Sequence, residues 1–323
     1  MNTKKYVYFV LTVLIFCIGY QSSFAAPITT KVNVQKEIIL DEECNKNTES
    51  ELIKRVSLRN KFQKSPQSQV ESFLKKYIDY SEKNDLKKLK ELYSDTYVNN
   101  DGFDKHTIFE MMESVSMVYT DMKYDTNIEK IEIDGNYAKV KIHEKACAQT
   151  NTQPSNRIND KGIVVSDINY IDYLIKEGNK WKIQSTYMLS EEVTMKYGEA
   201  KNMDIKITSP ETVGAGIPYE VSVCANNPDG SFALGSIVNE PIIYPQKDSI
   251  DSFRAVKNEK ISRILTSNKN NNNEYVTVSI ALTRAEVEPT AININMTGMA
   301  LAMKRVNVLP YSQKKDKVDD KEK

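Results

Sequence analysis

Apolar residues recur with a helical period in three segments between residues 66 and 115. The first segment begins at Ser65 and Pro66, a capping serine followed by a proline in the first helical turn. A second, shorter segment follows Asp85, and a third follows Asp104. The first apolar stripe consists of Val70, Phe73, Leu74, Tyr77 and Ile78. This spacing places one apolar face on each segment and predicts three amphipathic helices.

After residue 123 the apolar period changes from 3.6 to 2, which is typical of β-strands. We expect a strand at 128–133, a turn at Asp134 and Gly135, and a returning strand at 137–144. A long strand over 162–176 is apolar on both faces, which indicates a central position in a sheet.

The stretch 172–189 contains two alternating runs around a polar turn and predicts a β-hairpin. Strict alternation in the second run places Trp181 and Tyr187 on one face, together with Ile183, Ser185 and Leu189.

The order of three helices followed by an antiparallel sheet covers residues 66–197. It includes a short Leu/Tyr helix followed by Asp95, Thr96 and Tyr97, and a terminal hairpin containing Trp181. This order resembles the nuclear-transport-factor-two-like fold, also called SnoaL-like or ketosteroid-isomerase-like. The resemblance implies an α+β cone, in which three helices pack on a curved antiparallel sheet around a conical cavity.

Beyond Met203 short alternating segments are separated by turn signals such as residues 226–230. This pattern predicts an all-β sandwich over 203–311 and resembles bacterial immunoglobulin-like domains. The expected fold class is therefore an α+β cone at 65–198 followed by a separate immunoglobulin-like sandwich. A polar arm or linker is expected at 26–64 and a disordered charged tail at 312–323. The four arginines of the sandwich are expected at solvated or rim positions.

The first 25 residues have the pattern of a secretory signal peptide. Lys4 and Lys5 precede an apolar run at 6–20, which is shorter than a membrane-spanning helix requires. Small residues at Ser23 and Ala25 predict cleavage after Ala25. We therefore expect an extracytoplasmic protein, periplasmic or secreted, with no transmembrane segment in its mature form. The alternative is an uncleaved signal anchor.

Charge and cysteine content narrow the range of partners. Lys+Arg and Asp+Glu each number 44, so no basic surplus suggests a nucleic-acid partner. Without residues 1–25 three cysteines remain: Cys44, Cys147 and Cys224. Exported chains retain disulfides, so a Cys44–Cys147 disulfide is one expectation, and three free thiols are the other. The spacings fit no metal site, and no metal or cofactor is expected.

Candidate chemistry is confined to the expected cavity. The resemblance implies enzymes that use a helix tyrosine together with acids in an apolar pocket, and here Tyr77 lies on a helix. Asp172 shares a strand face with Tyr170 and Leu174, which would desolvate its carboxyl and raise its pKa. The alternative is that Tyr77 is a core residue and that Asp172 lies near a strand edge. The candidate cavity-lining residues are Phe73, Tyr77, Asp172, Tyr173, Trp181 and Tyr187.

No local motif in the chain specifies catalysis. The sequence therefore favours a non-catalytic binding or scaffolding protein of the bacterial cell envelope, whose partner is an unknown protein or envelope component. One alternative is a small-molecule isomerase, dehydratase or hydrolase acting in the cavity. Filling of the cone by Phe73, Trp181 and Tyr187 would exclude that enzyme. Another alternative is a surface adhesion module, and homodimer formation is left open.

Overall fold

A computed structural model describes residues 65–151, 158, 160–246, 252–288 and 291–310 of the 323-residue chain. The predicted signal peptide, arm and charged tail lie outside these residues, as does Cys44.

Three helices occupy the start of the described chain, each begun by a polar cap. Helix α1 (Pro66–Glu82) begins after Ser65, whose hydroxyl accepts a hydrogen bond from the Ser68 amide at 3.2 Å. Helix α2 (Leu86–Glu91) follows Asp85. Helix α3 (Lys105–Val118) follows Asp104, whose carboxylate accepts from the Thr107 amide at 2.8 Å. These caps satisfy amides that have no partner within the helix.

Twelve strands and one short 3₁₀ helix (Glu199–Asn202) follow. In chain order the strands are β1 (Tyr119–Asp134), β2 (Tyr137–Thr150), β3 (Ile163–Glu177), β4 (Lys180–Gly198), β5 (Ile205–Thr208), β6 (Thr212–Gly214), β7 (Pro218–Ala225), β8 (Phe232–Pro241), β9 (Arg254–Ala255), β10 (Lys260–Thr266), β11 (Glu274–Glu288) and β12 (Ala291–Leu309).

Nine strands form one sheet that runs through both halves of the chain. Its order is β1-β2-β3-β4-β12-β11-β8-β9, and β6 pairs with β12 in parallel. The two halves meet where β4 and β12 pair antiparallel, from Gly198 opposite Gly298 to Glu192 opposite Lys304. The predicted fold class, a cone followed by a separate all-β domain, is therefore wrong. Both strands are 19 residues long, and pairing them removes the free edge that each half would otherwise expose.

A second sheet of three strands, β10-β7-β5, lies over the later part of the large sheet. Val221 and Val223 of β7 belong to one core cluster with Val276 and Val278 of β11. Tyr275, on the opposite face of β11, belongs to the other cluster, under the helices. The later half thus has two facing sheets, but one of them also forms the floor of the helical half. The bounds of the two predicted segments, 65–198 and 203–311, stay a prediction.

The core beneath the helices is aromatic. Tyr93 makes edge-to-face contacts with Tyr97 and Phe109, with ring centroids 4.9 and 5.1 Å apart. Such pairs contribute about 0.5–1.5 kcal/mol beyond the area that they bury. None of the helices in the described ranges is long and apolar enough to cross a membrane.

Candidate functional site

The β3–β4 hairpin does not keep the strict alternation that its sequence suggests. Tyr173 pairs with Ser185, whereas Leu174 pairs with Ile183, so Gln184 is an extra residue in β4. A bulge of this kind reverses the faces of the residues that follow it, here as far as Leu189, a second extra residue that restores the original faces.

The predicted face shared by Trp181 and Tyr187 is therefore wrong. Trp181 is 5% exposed and lies beneath the helices, whereas Tyr187 is 39% exposed on the outer face. Tyr173, which is 40% exposed, also lies on the outer face. Neither tyrosine lines the interior.

An open pocket of about 570 Å³ lies between α1 and the β3–β4 hairpin. Its apolar lining consists of Phe73, Tyr80, Leu92 and Trp181. Phe73 is on the inner stripe of α1, and Trp181 is the second residue of β4, so the helix and the hairpin hold the two rings together. The volume falls within the range of roughly 300–1,000 Å³ that is common for small-molecule sites.

Four lysines surround these rings: Lys76, Lys176, Lys180 and Lys182. Among the described residues of the lining, Glu91 is the only acidic one. The pocket is therefore positively charged, and we call it the lysine pocket.

The four ammonium groups differ in their partners. Lys182 pairs with Glu177 at 3.1 Å. The ammonium of Lys176 donates to Gln69 at 3.0 Å and lies 5.9 Å from the centre of the Trp181 ring. Within the described ranges, Lys76 and Lys180 have no ion-pair partner. These two charges are available to an anion, which would not have to displace an internal partner.

A group of buried carboxyls and tyrosines lies deeper, between the helices and the sheet. The Thr186 hydroxyl donates to Asp172 at 2.7 Å, and the Thr126 hydroxyl donates to Glu144 at 3.0 Å. Asp172 is 1% exposed and Glu144 is 2% exposed. Asp172 occupies the middle of β3 and not a strand edge. We call this group the buried acid cluster; it includes Tyr77, Tyr93 and Tyr170.

Burial dominates the ionisation of the cluster. It raises the pKa of Asp172 to about 7, against the opposing effect of the Thr186 hydrogen bond. Burial also raises the pKa of Glu144 to about 8, where Thr126 lowers it and the nearby charge of Asp172 raises it. The pKa values of Tyr77 and Tyr170 are raised, first by burial and then by the neighbouring acids and tyrosine.

The buried acid cluster and the lysine pocket are separate sites, and helix α1 contributes residues to both. Phe73 lines the pocket, whereas Tyr77, one turn later on α1, faces Asp172 and Tyr170. Both carboxyls are buried, so the cluster has groups that can transfer a proton, but a substrate cannot reach them from solvent in this structure. In the ranges described, no group of three or more His, Cys, Asp or Glu residues could hold a metal ion.

Several important residues were missed at the level of sequence. Glu144 continues the alternation of Val140 and Ile142 on β2, and this signal could have identified it as buried. No such signal identified the four lysines of the lysine pocket, because a lysine near a turn is usually solvated. Among the predicted disulfide partners, Cys147 is exposed and forms no disulfide with another described residue. The Cys44–Cys147 disulfide stays a prediction because Cys44 lies outside the described ranges.

Comparisons with known proteins give little. No protein-family model matches the chain, and no curated protein matches it. A conserved protein from Planctomyces limnophilus DSM 3776 aligns with a TM-score of 0.32 and 11% identity, covering 37% of this chain and 91% of that one. A hexachlorocyclohexane dehydrochlorinase (LinA) Type2 aligns with a TM-score of 0.30 and 8% identity, covering 42% and 86%. Scores this low assign neither a fold nor an activity, and neither alignment shows an immunoglobulin-like domain.

Proposed function

We propose that this chain is an exported, non-catalytic binding protein of the bacterial cell envelope, and that its lysine pocket binds an anionic group of a ligand or partner. The observation that carries the proposal is the set of four lysines around Phe73 and Trp181. Export is supported by the signal-peptide pattern of residues 1–25.

The lining favours a ligand that has both a negative charge and an apolar part. A single exposed ion pair contributes only about 0.2–1 kcal/mol, so the lysines alone would bind weakly. Covering the aromatic floor with an apolar group adds roughly 1.5–3 kcal/mol. A lysine close to an aromatic face also gains from the ring quadrupole. Together these contributions suit micromolar to millimolar binding, which is typical of a recognition site.

The binding can be measured through Trp181, because it is the only tryptophan of the chain. The chain from residue 26 is titrated with the anionic aromatic dye anilinonaphthalene sulfonate, and energy transfer from Trp181 to the dye is followed. We expect saturable transfer. Replacing Lys176→Gln and Lys180→Gln together should weaken dye binding about tenfold, a loss of about 1.4 kcal/mol.

The matched control removes the same charge from the outer face. Lys139→Gln with Lys141→Gln lies on β2, where these lysines pair with Glu132 and Glu129 of β1. The control variant should bind the dye like the wild type. Equal weakening in both double variants, or no saturable transfer at all, would contradict the proposal.

A second candidate is a small-molecule isomerase, dehydratase or hydrolase that uses the buried acid cluster. It is favoured by the pKa of Asp172, raised to about 7, which suits a general acid or base at neutral pH. Because Asp172 is sealed, a substrate would have to open the helical layer. Any ligand found by dye displacement distinguishes the two functions: a binding protein releases it unchanged, whereas an enzyme converts it and loses turnover in Asp172→Asn. The adhesion alternative stays a prediction.

A further inference from the structure

The sequence outside the described ranges contains a segment whose chemistry matches the lysine pocket. Residues 38–43 read Ile-Ile-Leu-Asp-Glu-Glu, three aliphatic residues followed by the only run of three consecutive acids in the chain. We call it the acidic segment. It precedes Ser65, the cap of α1, by 22 residues.

The two halves of this segment correspond to the two parts of the pocket. Aliphatic side chains suit the floor formed by Phe73, Tyr80 and Trp181. The three carboxylates suit the rim, where Lys76 and Lys180 have no ion-pair partner in the described part of the chain. Opposite charges at an apolar site supply specificity as well as attraction.

We propose that residues 38–43 bind in the lysine pocket of the same chain and compete there with its anionic partner. The inference rests on the proposed function, because it assigns an internal competitor to the same site. The partner must then displace the segment, which makes the protein selective for ligands that bind more tightly than its own carboxylates.

The chain length permits this contact. Twenty-two residues extend to at most roughly 70 Å, and the pocket begins at Gln69 in the first turns of α1. A tethered segment of this kind has an effective concentration on the order of millimolar. An intrinsic affinity in the millimolar range, which a few exposed ion pairs and a small apolar contact provide, is therefore enough for substantial occupancy.

The proposal excludes the Cys44–Cys147 disulfide. Cys44 directly follows Glu43, so the segment would hold it at the pocket. Cys147 pairs with Val165, which lies eleven residues before Lys176 on β3 and roughly 35 Å away along the strand. Cys44 cannot reach both places at once.

The test compares dye binding in three forms of the chain from residue 26. The first is the wild type. The second carries Asp41→Asn, Glu42→Gln and Glu43→Gln, which remove the charges of the segment. The third carries Glu49→Gln and Glu51→Gln, a control in the same part of the chain. We expect dye binding, followed through Trp181, to tighten about threefold to tenfold in the second form and to stay unchanged in the third.

The outcomes separate the two proposals. Saturable binding of equal affinity in all three forms overturns the competitor and leaves the binding function standing. No saturable binding in any form overturns both. A tightening that depends on protein concentration over a hundredfold range indicates the segment of a second copy and overturns the intramolecular contact. A Cys44–Cys147 disulfide in a non-reducing peptide map also overturns it.

Discussion

Arg305 forms a buried ion pair with Asp101, which precedes it by 204 residues. Its two terminal nitrogens contact the two carboxylate oxygens at 2.5 and 3.1 Å, and the two side chains are 0% and 4% exposed. Asn273 donates to the same carboxylate at 2.8 Å. The pair attaches the loop before α3 to β12, so the helical layer is fastened to a strand from the end of the chain.

Loss of the Asp101 charge should destabilise the protein strongly. Asp101→Asn leaves the buried Arg305 guanidinium without the carboxylate that it hydrogen-bonds, which costs about 3–5 kcal/mol. The free energy of unfolding in urea measures the loss. The control is Asp79→Asn, which breaks the exposed pair with Lys83 and should cost less than about 1 kcal/mol. Similar losses in the two variants would contradict the structural role of the buried pair.

The joint between β4 and β12 has no room for a side chain at Gly298. A Cβ built there would lie 2.6 Å from the backbone nitrogen of Ala200. Gly298→Ala should therefore force the 3₁₀ helix away from β12 and cost roughly 1–3 kcal/mol.

Unfolding of the Gly298→Ala variant should also show whether the halves are coupled. Trp181 fluorescence reports the helical half, and far-ultraviolet circular dichroism reports both sheets. If the two halves share one sheet, the unfolding transitions measured by the two signals shift together to a lower urea concentration. The control is Gly235→Ala, where the added methyl group would contact the side chains of Val256 and Ile261 and no backbone atom. This variant should be destabilised less than Gly298→Ala. Loss of circular dichroism alone, with the Trp181 transition unmoved, would indicate independent halves.

Stability should fall as the pH rises from about 5 to 8. Burial raises the pKa values of Asp172, Glu144 and Glu191 to about 7, 8 and 7. The folded state therefore keeps protons that the unfolded state has already released above about pH 5, and this favours unfolding until the folded groups ionise. Each unit of pKa difference corresponds to about 1.4 kcal/mol, so each of the three groups contributes a loss on the order of 2–4 kcal/mol over this window.

Urea midpoints at several pH values measure this effect. The double variant Glu144→Gln with Asp172→Asn should have a shallower pH dependence and greater stability than the wild type at pH 8. The control Glu110→Gln alters an exposed residue of α3 and should leave the slope unchanged. A wild-type protein that becomes more stable from pH 5 to pH 8 would contradict the assignment.

The sequence predicted local elements well where the apolar period was strong. The helix caps at Ser65, Asp85 and Asp104 are read directly from residue type. The pairing of β4 with β12 was not predictable in this way, because alternation specifies a strand but not its neighbour. That pairing turned two expected domains into one sheet.

The predictions for two single residues were wrong for the same physical reason. The bulge at Gln184 follows from pairing with β3, so the outward position of Tyr187 could not be derived from β4 alone. Arg305 was expected at a solvated or rim position, yet its side chain is fully buried. Its partner Asp101 is remote in sequence, so the residues around Arg305 could not indicate the ion pair. The burial of Asp172 was one of the two alternatives that the sequence left open, and it could be considered there because its alternation within β3 is local.

The deletion of residues 203–311, which would test adhesion in a two-domain protein, is unsuitable here. It removes β12, the neighbour of β4, and with it Arg305. Loss of cell binding after this deletion would reflect unfolding. Substitution of exposed apolar residues such as Phe232 and Ile264, which are 64% and 74% exposed, tests adhesion without removing the core.

The pocket beside Trp181 is expected to attract anions, and collisional quenching of Trp181 fluorescence tests this most directly. Iodide and caesium are compared in the chain from residue 26 that carries Asp41→Asn, Glu42→Gln and Glu43→Gln, where the acidic segment cannot mask the lysines. The predicted result is a larger quenching constant for iodide, with a ratio that falls towards one when Lys176→Gln and Lys180→Gln are added. Caesium quenching equal to or stronger than iodide quenching would contradict the account.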